Sequence, residues 1–105
     1  MTTAKTLRFD IFMAGDIAQA KQVCREYCFE LGFCVHIEPV SYIYTGAEED
    51  GFKIGIINYP RFPSDDAPLA ERASELANLV MTRLCQHSYT IVGPHETTWF
   101  TRRTG

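Results

Sequence analysis

The chain has 105 residues, 46 % of them hydrophobic and 22 % charged, and a formal net charge of −3. That is the length of one domain, 1–105, able to bury a core of its own. So mild an acidic balance argues against a binder of duplex DNA or of an anionic membrane, since both need a concentrated basic surface. No run approaches the apolar length of a membrane helix. The start, MTTAKTLRFD, has no apolar core and no cleavage site, so a cytoplasmic protein is expected. The four cysteines at 24, 28, 34 and 85 are then expected as reduced thiols.

Residues 7–14, LRFDIFMA, alternate. Leu7, Phe9, Ile11 and Met13 share one face, and Arg8, Asp10 and Phe12 the other, as in a half-buried strand. Asp16 is placed to cap a helix, with Gln19 three residues on. Ala20, Val23, Cys24, Tyr27, Cys28 and Leu31 then recur at helical spacing, and Gly32 is a natural stop. The first helix is expected over about 17–31.

Residues 34–45, CVHIEPVSYIYT, alternate again. Pro39 lacks an N–H, so this strand belongs at a sheet edge or carries a bulge. GAEEDG reads as a polar turn, and FKIGIINY as a third strand antiparallel to the second. Pro60, Arg61, Phe62 and Pro63 then form a stiff connector. Leu69, Ala73, Leu76, Ala77, Val80, Met81 and Leu84 mark a second amphipathic helix over about 68–86. Ser64, Asp65 or Asp66 could cap it, and Pro68 suits its first turn. SYTIVG is a fourth strand, and TTWFTRR a short fifth.

The order β-α-β-β-α-β, with right-handed crossovers, predicts an α+β sandwich. Its antiparallel sheet has strand order 4-1-3-2, with both helices on one face and a short fifth C-terminal strand. This puts the Pro39 strand at an edge, as its proline requires. The arrangement resembles the ferredoxin-like (split βαβ) superfold over nearly the whole chain. PII signalling proteins, CutA-like trimers, small dimeric monooxygenases and RNA-recognition modules share it, so the fold selects no function. The chain departs from PII in having a short 45–51 connection in place of a long ligand-sensing loop. Its small size, without a standard catalytic motif, is similar to that of accessory proteins encoded by phages and mobile elements.

The face away from the helices carries the candidate sites. It combines Arg8, Asp10 and Phe12 with His36, Glu38, Val40, Tyr42 and Tyr44, and with Lys53, Gly55, Ile57 and Tyr59. Phe12, Val40, Tyr42, Ile57 and Trp99 suit an interface between copies of the chain, a dimer being favoured. Arg61, Tyr59, Tyr42 and Tyr44 suit a small anionic ligand. Asp10, His36 and Glu38 are the acid–base candidates. Asp10 and His36 stand two strand spacings apart, however, roughly 9–10 Å between backbones. Cys24 and Cys28 are one helical turn apart but fall on the apolar stripe, so buried inert thiols are expected and no metal or cofactor.

With no GxSxG, HExxH, Walker or dinucleotide motif, the leading expectation is a non-enzymatic, oligomeric binding protein. It would contact a partner protein or sequester a small anionic ligand, for example as a phage-type antagonist of a host factor. Two alternatives stand beside it. One is a small enzyme with an acid–base site at a subunit junction. The other is a binder of single-stranded nucleic acid through the sheet face.

Overall fold

The computed structural model describes residues 1–103. Strand β1 (Arg8–Ala14) buries Phe9, Ile11 and Met13 and turns Asp10 and Phe12 the other way. At Gly15 (φ 130°) the chain leaves the strand. Helix α1 (Ile17–Leu31) starts at Asp16, whose carboxylate accepts from the Ala18 amide at 3.0 Å. It ends at Gly32, left-handed at φ 65° and ψ 48°. Both ends of this helix are therefore set by the residues that the sequence marks for them.

Strands β2 (His36–Tyr44) and β3 (Ala47–Ile57) form an antiparallel hairpin. The GAEEDG segment is mostly strand rather than turn. Only Thr45 and Gly46 (φ 76°) make the bend, and Glu48 and Glu49 pair with Ile43 and Tyr42. The pairing of β1 with β3 stops at Ala14 and Gly51, so the hairpin tip overhangs the sheet. Ile43, on the face of β2 that the helices cover elsewhere, is 77 % exposed for this reason.

Helix α2 (Asp66–Arg83) begins two residues before the expected start, with Asp65 as N-cap. It ends before Leu84, where the chain reaches the left-handed Cys85 (φ 57°). Strands β4 (Ser88–Val92) and β5 (Thr97–Thr101) complete a five-stranded sheet of order β2-β3-β1-β4-β5. The expected 4-1-3-2 order and the added fifth strand are both present, and Pro39 lies on an edge strand.

The two helices cover one face of the sheet. Phe52, Ile11, Ile54, Ile56, Leu76, Val23 and Val80 are fully buried between the layers. The Tyr27 hydroxyl donates to Glu75 at 2.9 Å, and Arg83 pairs with Glu26 at 2.9 Å, so polar contacts tie the helices together at their outer surface. Among the described residues no helix is long and apolar enough to cross a membrane.

Candidate active site on the open sheet face

The face away from the helices is a grid set by strand register. One row runs His36, Gly55, Asp10, Val92, Thr97, and the next Glu38, Lys53, Phe12, Thr90, Trp99. The acid–base candidates occupy adjacent rows. Asp10 and His36 flank Gly55 from the two strands on either side of it.

Gly55 changes the distance argument. A Cβ built on it would lie 2.0 Å from His36 Nε2 and 2.2 Å from Cε1. The imidazole therefore lies across β3, with its tip in the space a side chain would fill. From there it points toward β1, where Asp10 stands opposite the same glycine. The backbone separation is two strand spacings, as expected, but the ring crosses the middle of it. A glycine inside a strand is the sequence signal for such a close approach.

Asp10 is the other half of the arrangement. Its Oδ2 is 3.5 Å from Arg8, and its side chain is 14 % exposed. Its Oδ1 is buried and has no hydrogen-bond partner among the described residues. A buried carboxylate oxygen is normally satisfied, and one that is not marks a candidate place for chemistry. Glu38, beside His36, pairs with Lys53. The Lys53 ammonium holds its carboxyl below the usual carboxylate range, with His36 and Arg8 adding to the effect. Five ionisable groups thus meet on a few square nanometres of sheet, bordered by Phe12 and by Trp99, which is 66 % exposed.

The expected anion site does not assemble. Tyr42 and Tyr44 lie beside the start of β3, whereas Tyr59 and Arg61 follow its end. Ten residues of strand put about 30 Å between the two groups. Tyr42 has a structural role: its ring lies over Gly51, and its hydroxyl donates to the carbonyls of Phe52 at 3.0 Å and Met13 at 3.3 Å. Burial pushes its phenol pKa up. Arg61 stacks on Phe62, 5.3 Å from the ring centroid. Tyr59 meets Cys34 at 3.6 Å. The 58–64 connector is held by buried Asn58, which accepts from the Ser64 amide and donates to the Lys5 carbonyl, each at 2.8 Å. Sequence reasoning passed over Asn58, because one asparagine after a strand carries no pattern.

Phe12, Val40 and Ile57 are half-buried on the open face. Cys24 and Cys28 sit on the inner side of α1, and burial pushes the Cys24 thiol up to about 12. Among the described residues no cluster of three or more His, Cys, Asp or Glu side chains could hold a metal ion.

No family model matches the chain, and no curated protein matches it. Two solved structures do. A phage SAM lyase in its apo state superposes with a TM-score of 0.76 at 13 % identity, over 94 % of this chain and 91 % of the other. A phage SAM lyase in complex with S-methyl-5'-thioadenosine superposes with a TM-score of 0.66 at 11 % identity, over 96 % and 93 %. The likeness to a phage protein is consistent with the resemblance read from small size and the lack of a standard catalytic motif. The expectation of a non-enzymatic binding protein is corrected: the fold is that of enzymes over nearly its whole length, and a missing motif does not exclude catalysis on it. By fold, this chain is similar to the phage SAM lyases.

Proposed function

We propose that the protein is an enzyme that cleaves S-adenosylmethionine as a lyase, releasing methylthioadenosine. The site is the open face around Gly55, where the His36 imidazole lies over the glycine and Asp10, with its unpartnered oxygen, stands opposite the same glycine on β1; that pair carries the reading. The fold shared with the SAM lyases supplies the reaction class.

The chemistry suits the groups present. The substrate is a sulfonium cation, and its carbon–sulfur bond breaks with the electron pair moving to sulfur. The leaving group is a neutral thioether, so no acid is needed to protonate it. In the elimination, a base removes the proton from the carbon next to the one bound to sulfur. The freed pair forms the double bond as the thioether departs. His36 takes this proton, and the Asp10 carboxylate stabilises first the sulfonium and then the imidazolium. Phe12 and Trp99 offer ring faces in the next row for the adenine. A flat sheet does not exclude water, so a second copy packed on Phe12, Val40, Ile57 and Trp99 closes the site.

The test is incubation with S-adenosylmethionine and detection of methylthioadenosine by chromatography and mass spectrometry. Wild type should release it. His36→Ala and Asp10→Asn, with unchanged circular dichroism, should each lower the rate by about 10²–10⁴-fold. An unsaturated amino acid as co-product supports His36 as base. A lactone would assign the displacement to the substrate's own carboxylate and reduce His36 to a binding role. No methylthioadenosine at all would sink the reading.

A further inference from the structure

The helix side of the sheet has a cavity that this chemistry leaves unused. The helices cover the sheet as far as β4, and β5 lies beyond them. Between α2 and β5 is a cavity of about 510 Å³. Its floor is aromatic: Tyr89 and Phe100 stack with centroids 5.3 Å apart and planes at 22°, and Phe9 lies beside them. Its wall is the stripe Asp66, Ala70, Ser74, Asn78, repeating every four residues of α2 with no large side chain among them. Tyr89 donates to Asn78 Oδ1 at 3.2 Å at one end, and His95 Nε2 meets Asp66 at 3.0 Å at the other.

The charge of the lining is one-sided. Asp66 and Glu96 are its carboxylates, His95 pairs with Asp66, Tyr89 adds a phenol, and no lysine or arginine is among the lining residues. Asp66 stands in the first turn of α2, where its carboxylate offsets the positive end of the helix dipole. Ring faces and carboxylates both favour positive charge.

We infer that this cavity is a second small-molecule site, and that its ligand is a flat organic cation of about nucleoside size. Such a ligand is an aromatic ring bearing a fixed or protonated positive centre. The volume is that of ordinary ligand sites, aromatic surface with a few polar groups at the ends. The cavity lies across the sheet from Asp10 and His36, so one molecule cannot touch both. Of the residues used in the lyase reading only Trp99 is also in this lining, and the tests below leave Trp99 unchanged.

Calorimetric titration with 1-methyladenosine, a cation at neutral pH, and with adenosine, its neutral counterpart, tests it. The cation should bind about tenfold more tightly, a difference of about 1.4 kcal/mol. Glu96→Gln should remove most of that preference while leaving the fold intact. Ala70→Phe, or Ser74→Leu if the first does not fold, should abolish binding of both probes and leave methylthioadenosine release unchanged. His36→Ala should bind 1-methyladenosine as wild type does. Equal affinity for the two probes, binding that survives both cavity-filling variants, or binding lost in His36→Ala would each overturn the inference.

Discussion

At the scale of single residues, the glycines of β3 do the least expected work. Side chains of β2 lie across both Gly51 and Gly55, the Tyr42 ring on the first and the His36 ring on the second. The two differ in what a methyl group would strike. At Gly55 it meets the end of a rotatable imidazole, 2.0 Å away. At Gly51 it meets the Met13 carbonyl oxygen at 2.3 Å, which is backbone and cannot turn aside. Gly55→Ala should therefore move His36 at a stability change below about 1 kcal/mol, while removing most of the activity. Gly51→Ala should destabilise by about 1–3 kcal/mol. Thermal denaturation and the methylthioadenosine assay on the two variants separate these effects. The ionisable residues of this site were legible in the sequence by alternation alone. Their meeting was not, because alternation assigns a face and says nothing of how far a ring reaches over a neighbour without a side chain.

At the scale of elements, helices and strands followed their local signals wherever those signals were chemical. Asp16 caps α1 and Gly32 ends it, and Asp16→Ala should lower stability by about 1 kcal/mol in denaturant unfolding. Boundaries moved where tertiary pairing outweighed composition. Ala47, Glu48, Glu49 and Asp50 look like a turn, yet ladder bonds to β2 hold them extended. The four residues expected at an anion site are parted at this scale too. Four residues can suit one ligand by type and still stand at opposite ends of a strand, and β3 is 11 residues long.

For the whole molecule, the topology was the most legible feature. Strand order followed from crossover handedness and one proline, and neither depends on side-chain detail. The proposed reaction was not legible, since the same sandwich serves many chemistries and the candidate groups sit on a bare sheet face. The buried phenols and thiols also act on the molecule as a whole. Burial raises Cys24 from its ordinary 9.0 to about 12. Tyr27, between the helices, rises from 10.0 to about 12 through burial and the nearby Glu75. The folded protein thus keeps protons that the unfolded chain releases. The stabilisation is fully present below about pH 9 and declines as pH rises toward 12. Urea midpoints should be flat from neutrality to about pH 9 and then fall. A rise across that interval would contradict the burial of these groups.

The two borders of the sheet are unlike, and this bears on how the molecule meets its own kind. Along β2, Pro39 deletes a donor from the outward side, and carboxylates crowd the overhanging hairpin beside it. Along β5, Thr97–Thr101 carry neither proline nor charge, and Trp99 and Phe100 are exposed. Growth along the hydrogen-bonding direction is open at one side and blocked at the other. Two molecules joined through β5 would present only blocked borders outward. Extension by that route ends in a closed pair and not in a fibre.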